Sequence, residues 1–398
     1  MFSTAEYQTR FKKLQQSVKE EKLKAFIVSS EENIYYLTGV SYRPLERPFF
    51  IVVRPDDDPV LVVPLMEEEH LKEAPNVTEI HAYREYPAPV GKGWADILKS
   101  VLGKRKITVG VEPGLALEIA GELTGYNLKA LPLLENIRMV KSETEVDKIR
   151  TTAQYCDAGM DLMLKAAYYG ISELEIFSQS RSVLLNVMKE TDFEPVTTDL
   201  LTMSWVAPMS AQPHSVPSVD DRLKGGPHIA MSFMRVNGYA AECERTWFLS
   251  DPKSEEEKAF KAMMKARERA LSFIAPGISC NEIDKEVNGF IEGMGYGENL
   301  LHRTGHGFGL SNHEGPWVAE GSSHVLEKNM LISIEPGIYI PGTGGFRHSD
   351  TVLVTESGSE VLTAYPVDIE SLRIRGYRAA NRLKGKIIRK VAGINRPS

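Results

Sequence analysis

The sequence predicts an α+β protein of two domains, the first a mixed α/β domain and the second a duplicated unit of helices and strands. Short apolar runs bounded by turn residues predict the first domain, because buried strands read as brief continuous apolar segments. A Gly-Ile-Ser-x-x-Glu-Ile segment begins at Gly170 and again at Gly277, and this repeat predicts the duplicated second domain. With 398 residues, 42% of them apolar, the chain is long enough to bury both cores.

The N-terminal domain is predicted to span 1–130. Apolar residues recur at helical spacing at its start and predict a helix over 4–22. The predicted strands that follow cover 25–30, 48–55, 59–65 and 107–113. A linker is expected near 131–142, and the second domain is predicted to span 138–372.

The second domain begins with a long predicted helix from about Glu143. Each copy of the repeated segment has a helix-ending glycine, then a serine with a glutamate three residues later, which is the pattern of a capping box. Strand-like runs follow at 228–250 and 329–341. We expect a pseudo-twofold core with a site where the two halves meet.

Charge is spread unevenly along the chain. The net charge is −7, and the segment 373–398 has nine basic residues and no acid, so the preceding residues total −16. An acidic protein lacks the broad basic surface of a nucleic-acid binder, and we expect the basic tail to be a solvated helix or a strap on a partner. Three dispersed cysteines and the absence of an apolar segment of membrane-spanning length predict a cytoplasmic protein without membrane contact.

Histidines and glutamates in unusual settings are the candidate site residues. His306 lies between two glycines with His313 seven residues later, while His214 lies in a proline-rich loop and His348 near a glycine pair. Strand alternation would place Glu242 and Glu244 on one face and Cys243 and Arg245 on the other. Glu335 is an acid within an apolar strand. Such acids need a positive group among them, either a metal, a basic side chain or a cationic substrate.

Several of these segments resemble the pita-bread family, which includes methionine aminopeptidases, Xaa-Pro peptidases and creatinase. The resemblance covers nearly the whole chain and implies a creatinase/prolidase-type N-terminal domain and a pita-bread C-terminal domain. The similar segments are RMVKSETEVDKIR, TGHGFGLSNHE, ISIEPGIYIPG and GGFRHSDTVLVTESG.

Family peptidases bind two metal ions through Asp, Asp, His, Glu and Glu. The resemblance places these ligands, in order, at Met231 (or Ser232), Glu242, His306, Glu335 and Ser349. Methionine and serine do not bridge hard cations. The resemblance therefore implies no dinuclear site and no cofactor, with one ion at Glu242, His306 and Glu335 left open.

The resemblance is closer to creatinase, the metal-free hydrolase of the family. Its two cation-binding glutamates match Glu244 and Glu335, its loop histidine matches His214, and its second glycine-segment histidine matches His313. Its Arg-Pro, which completes the site of a neighbouring subunit, matches Arg47. A further carboxylate-binding arginine has no counterpart in HEGPWVAEG.

These matches predict a metal-independent hydrolase of a guanidine, amidine or cyclic-amide C–N bond in a small zwitterion, acting as a homodimer. The expected catalytic residues are His214, Glu244, Glu335, His306 and His313. The expected substrate-binding residues are Arg47, Glu242, Arg245, Arg347 and His348. Two alternatives stay open: an Xaa-Pro-type peptidase with an altered metal site, and a non-catalytic binding protein on the same fold.

Overall fold

The computed structural model describes residues 2–374 except 73, 76, 86 and 219, together with 379, 383, 386, 387, 390 and 391. The chain divides into two compact units, Met1–Arg138 and Met139–Ser398. Most of the predicted basic tail, 373–398, lies outside the described residues. Within the described part, no helix is both long enough and apolar enough to cross a bilayer.

The first unit contains a mixed sheet with helices packed around it. Its elements are α1 (Thr4–Glu20), β1 (Ala25–Val28), α2 (Glu31–Thr38), β2 (Phe50–Val53), β3 (Val60–Pro64), α3 (Glu68–Leu71), β4 (Glu79–Tyr83), α4 (Trp94–Leu102), β5 (Thr108–Val111), α5 (Leu117–Glu122), β6 (Asn127–Ala130) and α6 (Leu133–Met139). The strand order in the described chain is β4-β3-β2-β1-β5-β6. The four predicted apolar runs form β1, β2, β3 and β5, and all but the first residue of β5 are buried.

Helix α1 shows how local sequence sets an element. Ser3 accepts a hydrogen bond from the backbone N–H of Glu6 and so begins the helix. The apolar side chains predicted to share one face, which include Phe11 and Leu14, are buried. The predicted helix over 4–22 is thus confirmed to within two residues.

The second unit is built around a larger sheet. Its elements are α7 (Glu143–Ala166), α8 (Glu173–Phe177), α9 (Ser180–Glu190), β7 (Asp199–Trp205), β8 (His228–Val236), β9 (Tyr239–Trp247), α10 (Ser254–Phe273), α11 (Cys280–Ile291), β10 (Gly305–Gly307), β11 (Glu314–Val318), β12 (Leu331–Ile334), β13 (Gly337–Ile340), β14 (Gly344–Arg347), β15 (Ser349–Val354) and β16 (Ser359–Val361). The main path is β11-β10-β12-β15-β9-β8-β7, with β16 paired to β15. Strands β13 and β14 pair as a separate ribbon.

The repeated segment folds the same way twice. Gly170 and Gly277 both have φ of +89°, the left-handed conformation that favours glycine. The N–H of Gly170 donates to the carbonyl of Leu223, and the N–H of Gly277 donates to that of Leu326, each at 2.8 Å. The matched hydrogen bonds support an internal duplication. The capping box forms at Ser172 but not at the equivalent serine of the second copy.

Helix α7 covers one face of the large sheet. The thiol of Cys156 donates to the carbonyl of Ala241 in β9 at 3.2 Å. A Cβ on Gly159 would lie 2.3 Å from the hydroxyl of Ser232, so glycine permits the close approach of helix and strand. The opposite face of β9 is therefore the one that carries the candidate site.

Candidate active site

Two glutamates lie side by side on the face of β9 turned away from α7. Glu242 and Glu244 are two residues apart on the strand and 3% and 2% exposed, as the predicted alternation required. Glu244 is opposite Met231 in β8 and Ser349 in β15, and Glu242 is opposite Phe233. None of these neighbours carries a charge that could offset the two carboxylates.

A histidine and a third glutamate complete the cluster from the second half of the duplicated unit. The Nε2 atom of His306, in β10, lies 3.3 Å from Oε1 of Glu335 and 4.0 Å from Oε2 of Glu242. Glu335 follows β12, where its backbone N–H donates to the carbonyl of Thr304 at 2.8 Å. The structure thus brings Glu242, Glu244, Glu335 and His306 together.

Glycines let β10 approach its neighbours closely enough to position His306. A Cβ on Gly305 would lie 2.0 Å from the carbonyl oxygen of Ser333, and one on Gly307 would lie 2.1 Å from that of Gly315. The Gly-His-Gly sequence is therefore required by backbone packing on both sides of the histidine.

The imidazole of His306 presents a lone pair to the glutamates. Its Nδ1 lies 3.1 Å from the carbonyl oxygen of Gly307, so a proton on Nδ1 is used in that hydrogen bond. Burial lowers the pKa of His306 well below its usual value, and nearby His313 lowers it further. A neutral ring with this tautomer places an Nε2 lone pair beside the oxygens of Glu242 and Glu335.

Arg347 is the basic side chain that neutralises part of the cluster. Its Nη2 donates to Oε1 of Glu244 at 2.6 Å, and its Nε pairs with the other carboxylate oxygen. Its Nη1 donates to the hydroxyl of Tyr339 at 2.9 Å. The Tyr339 hydroxyl in turn lies 2.7 Å from Nε2 of His302. Sequence reasoning missed Tyr339 and His302, although each lies four residues from a predicted site residue.

The carboxylates of the cluster resist ionisation. Burial raises the pKa of Glu242 well above its usual value, and the charges of Glu244 and Glu335 raise it further. Burial also raises the pKa of Glu335 to about 7, with Glu244 adding to the effect and Arg347 opposing it. The Oε1 atom of Glu242 is buried and accepts no hydrogen bond from the described part of the chain. Three carboxylates thus share one guanidinium, and the cluster favours a bound proton or cation.

Donor atoms of the cluster lie close enough together to hold a divalent ion. Two sets have ligand atoms within 4.8 Å of one another: Glu242 with His306 and His313, and Glu242 with Glu244 and Glu335. Glu242 belongs to both sets, while Glu244 is already paired with Arg347. Met231 and Ser349, the cross-strand neighbours of Glu244, offer no carboxylate to bridge a second ion.

Two loops bring further histidines towards this cluster. The ring of His313 is 4.0 Å from that of His306, centroid to centroid, and it stacks on Phe233. His214 is exposed on its loop, and its charge lowers the pKa of His313, after the larger effects of burial and Arg303. The structure shows no direct contact between His214 and the three glutamates in the described chain.

One buried carboxylate holds each of these histidine loops. Glu173 accepts hydrogen bonds from the N–H groups of Val206 and Ser218, at 2.8 and 3.1 Å, on either side of His214. Asp284 accepts from those of Thr304 and Glu320, at 2.8 and 2.7 Å, on either side of His306 and His313. The same device therefore occurs in both halves of the duplicated unit.

Arg245 and His348 lie outside the cluster, against their predicted role in substrate binding. Arg245 is on the α7 side of β9 and pairs with Asp350, Nη2 to Oδ1 at 2.8 Å. His348 accepts a hydrogen bond at Nδ1 from the N–H of Thr246, and burial lowers its pKa to about 3. Both side chains stabilise the fold.

Arg47 belongs to the first unit. There its Nη1 lies 3.0 Å from a carboxylate oxygen of Glu46 and its Nε donates to Glu85 at 2.5 Å. Its predicted contact with a neighbouring subunit's substrate stays a prediction.

Comparison with known proteins identifies both units. Residues 10–151 match the Creatinase/Prolidase N-terminal domain, and residues 147–356 match Metallopeptidase family M24. An uncharacterized peptidase of Staphylococcus aureus (strain USA300) is 30% identical over 363 residues, which cover 90% of this chain and 99% of that relative.

Solved structures with the same fold include a prolidase from Pyrococcus horikoshii OT3, which is 26% identical with a TM-score of 0.77. The match covers 91% of this chain and 99% of the prolidase chain. The dipeptidase PepE from Mycobacterium ulcerans is 25% identical with a TM-score of 0.81, and the match covers 92% of this chain and 98% of its own.

These findings overturn the predicted creatinase-like, metal-independent hydrolysis of a guanidine or amidine. The similar proteins are named as peptidases, a prolidase and a dipeptidase. The structure also supplies a physical reason. Glu244, predicted to bind a cationic substrate, already binds the internal guanidinium of Arg347 through both carboxylate oxygens.

Proposed function

Because this chain belongs to metallopeptidase family M24, we propose that it hydrolyses small peptides in which proline follows the scissile bond. The similarity to a prolidase and a dipeptidase with the same fold supports this substrate class. The reaction breaks a peptide C–N bond and adds water across it.

The main support for this proposal is that a histidine nitrogen and carboxylate oxygens lie close together in the protein interior, each with a lone pair. His306 Nε2 lies 4.0 Å from Oε2 of Glu242 and 3.3 Å from Oε1 of Glu335. The other oxygen of Glu242, Oε1, is buried and accepts no hydrogen bond from the described part of the chain. Atoms of this kind repel one another unless a proton or a cation lies among them. Glu242, His306 and His313 have ligand atoms close enough together to hold one divalent ion. Glu335, with Oε1 3.3 Å from Nε2 of His306, would be a further ligand.

When bound, such an ion acts as a Lewis acid towards the scissile carbonyl. The chain's own residues move the protons. Glu335 accepts a proton from the attacking water at a carboxylate oxygen. The water oxygen bonds to the carbonyl carbon, the C–N bond breaks, and Glu335 returns the proton to the leaving nitrogen.

Arg347 and the histidines have supporting roles in this proposal. Arg347 holds Glu244 in an ion pair, which limits the negative charge that acts on Glu335. His313 lies at the exposed edge of the cluster, where a neutral ring can donate a hydrogen bond to the substrate. His214, on the opposite loop, is a second candidate for this contact.

The test is hydrolysis of Ala-Pro by protein treated with a chelator, with and without restored Mn²⁺, Co²⁺ or Zn²⁺. We expect cleavage only after an ion is restored. A guanidino acid such as creatine serves as the control substrate and is expected to stay intact. Lack of cleavage with every ion, or cleavage unaffected by the chelator, would contradict the proposal.

We propose further that the protein is a cytoplasmic homodimer in which Arg47 reaches the substrate of the neighbouring subunit. Three free, buried cysteines support a reducing compartment. Sedimentation equilibrium is expected to give twice the mass of the chain, and Arg47→Ala is expected to raise KM with little change in kcat. A monomer with unchanged KM in that variant would contradict this arrangement.

A further inference from the structure

Arg303 is a basic residue near the cluster that neither the sequence prediction nor the proposed reaction uses. It lies three residues before His306 and is half-buried. Its Nε donates to the carbonyl of Gly305 at 3.2 Å. Its guanidinium carbon lies 4.7 Å from the centre of the Trp317 ring, a distance typical of a cation–π contact.

The position of Trp317 places this guanidinium on the site side of the sheet. Trp317 in β11 is directly opposite His306 in β10. Residues directly opposite each other in an antiparallel pair direct their side chains to the same face. Since the Arg303 guanidinium lies over the Trp317 ring, it lies on the face from which His306 reaches the glutamates.

Arg303 differs from Arg347 in having no carboxylate partner in the described part of the chain. Arg347 is buried and bound by Glu244, whereas the terminal nitrogens of Arg303 make no ion pair with any described carboxylate. Its charge still acts on the site, since it contributes to the lowered pKa values of His306 and His313. Arg303 is thus positioned by Gly305 and Trp317, and its terminal N–H groups can donate to a ligand.

We propose that Arg303, supported by the ring of Trp317, binds the free carboxylate of the peptide substrate. This inference rests on the proposed function, because it assigns the group that recognises the non-reacting end of the same substrate. A guanidinium offers two parallel N–H donors that match a carboxylate, and contact with an aromatic face fixes its plane. The enzyme should therefore prefer peptides whose carboxylate lies close to the scissile bond, which are dipeptides.

The experiment compares Ala-Pro with its C-terminal amide in wild-type protein, Arg303→Met and Arg303→Lys. Both binding by calorimetry and hydrolysis are measured, each with the same restored ion. Wild-type protein is expected to bind Ala-Pro about 10- to 100-fold more tightly than the amide. Arg303→Met is expected to lose that preference, with less than about a twofold change in its affinity for the amide. Arg303→Lys is expected to keep part of the preference.

Arg269→Met is the matched control. Arg269 also lies over an aromatic ring, with its guanidinium carbon 5.4 Å from the centre of Phe290, but it is exposed and pairs with Glu286. This variant is expected to keep the wild-type preference. Thermal unfolding of all variants shows whether Arg303→Met has retained its fold, and Arg303→Lys provides the test if it has not.

The outcomes separate the two proposals. Equal binding of acid and amide by wild-type protein, or equal weakening of both in Arg303→Met, overturns the role of Arg303 even if Ala-Pro is hydrolysed. Selective binding of the acid without hydrolysis supports the role of Arg303 and contradicts the proposed function. Binding of neither compound overturns both.

Discussion

The two faces of strand β9 each carry a buried cluster of acids and arginines, and the balance of charge differs between them. On the α7 side, the single carboxylate of Asp350 accepts from Nη2 of Arg245 at 2.8 Å and from Nε of Arg267 at 2.6 Å. On the other side, Glu242, Glu244 and Glu335 share Arg347. The first cluster has a surplus of arginines and the second a surplus of acids.

The pKa values show the consequence of this difference. Burial alone would raise the pKa of Asp350, but Arg245 and Arg267 outweigh it and lower the pKa to about 2. Burial and like charges instead raise those of Glu242 and Glu335. A cluster whose charges the fold satisfies stabilises the protein, while one left with excess charge is suited to bind something else.

The largest expected effect comes from removing the proposed proton carrier on the acid-rich face. Glu335→Gln should lower kcat for Ala-Pro by about 10²- to 10⁴-fold, the usual contribution of a general base. The free energy of unfolding should not fall, because the change removes one of three mutually repelling carboxylates. Steady-state kinetics measure kcat, and urea unfolding measures the free energy of unfolding. A variant with a lower free energy of unfolding and an unchanged kcat would show that Glu335 stabilises the fold and does not take part in the reaction.

The matched change on the opposite face is Asp350→Asn. It leaves Arg245 and Arg267 buried without a counter-charge, and breaking a buried pair in this way costs about 3–5 kcal/mol. Urea unfolding should show this loss, while the folded fraction keeps most of its kcat. Unfolding free energies equal to those of wild-type protein would show that the Asp350 cluster does not stabilise the fold.

The two faces should also give opposite pH dependences. The raised pKa of Glu335 adds stability that is present below its unfolded value near 4.5 and lost as the pH rises through about 7. The lowered pKa of Asp350 adds stability that is present above its unfolded value near 3.8 and lost as the pH falls through about 2. Each contribution is on the order of 2–4 kcal/mol.

Urea unfolding of chelator-treated protein from pH 2 to pH 8 measures both contributions. Glu335→Gln should reduce the decline between pH 4.5 and pH 7, to which Glu242 also contributes, and should keep the decline in acid. Asp350→Asn should do the reverse. If either variant changes the decline in acid and the decline towards neutral pH equally, the two clusters do not titrate independently.

The smallest expected effect is that of Arg267→Lys, which keeps the charge beside Asp350 but loses the Nε hydrogen bond. We expect a loss of about 1 kcal/mol in the free energy of unfolding and no change in KM. A change in KM without a change in stability would indicate that this face also takes part in binding.

Alternation along β9 explains how much of the site could be predicted. It correctly placed Glu242 and Glu244 on one face, and the same rule excludes Arg245, whose side chain points to the other. The duplicated segment correctly predicted strands from both halves around one cluster. These features depend on local periodicity, which a single sequence contains.

The remaining features depend on contacts between distant segments. The pairing of Arg347 with Glu244 joins β14 to β9 and appears in no local pattern, so a bound cationic substrate was inferred where an internal arginine lies. The contact of Arg303 with Trp317 depends on the β10–β11 register. The sequence indicates this contact only by the presence of Arg303, a basic residue three positions before His306.

The number of divalent ions bound by chelator-treated protein tests the central claim most directly, which is that the acid-rich face of β9 holds one cation. Calorimetric titration with Mn²⁺ is expected to give one tight site per chain in wild-type protein and in Arg267→Lys, and none in Glu242→Gln. Two sites per chain, or a site that Glu242→Gln leaves unchanged, would contradict it.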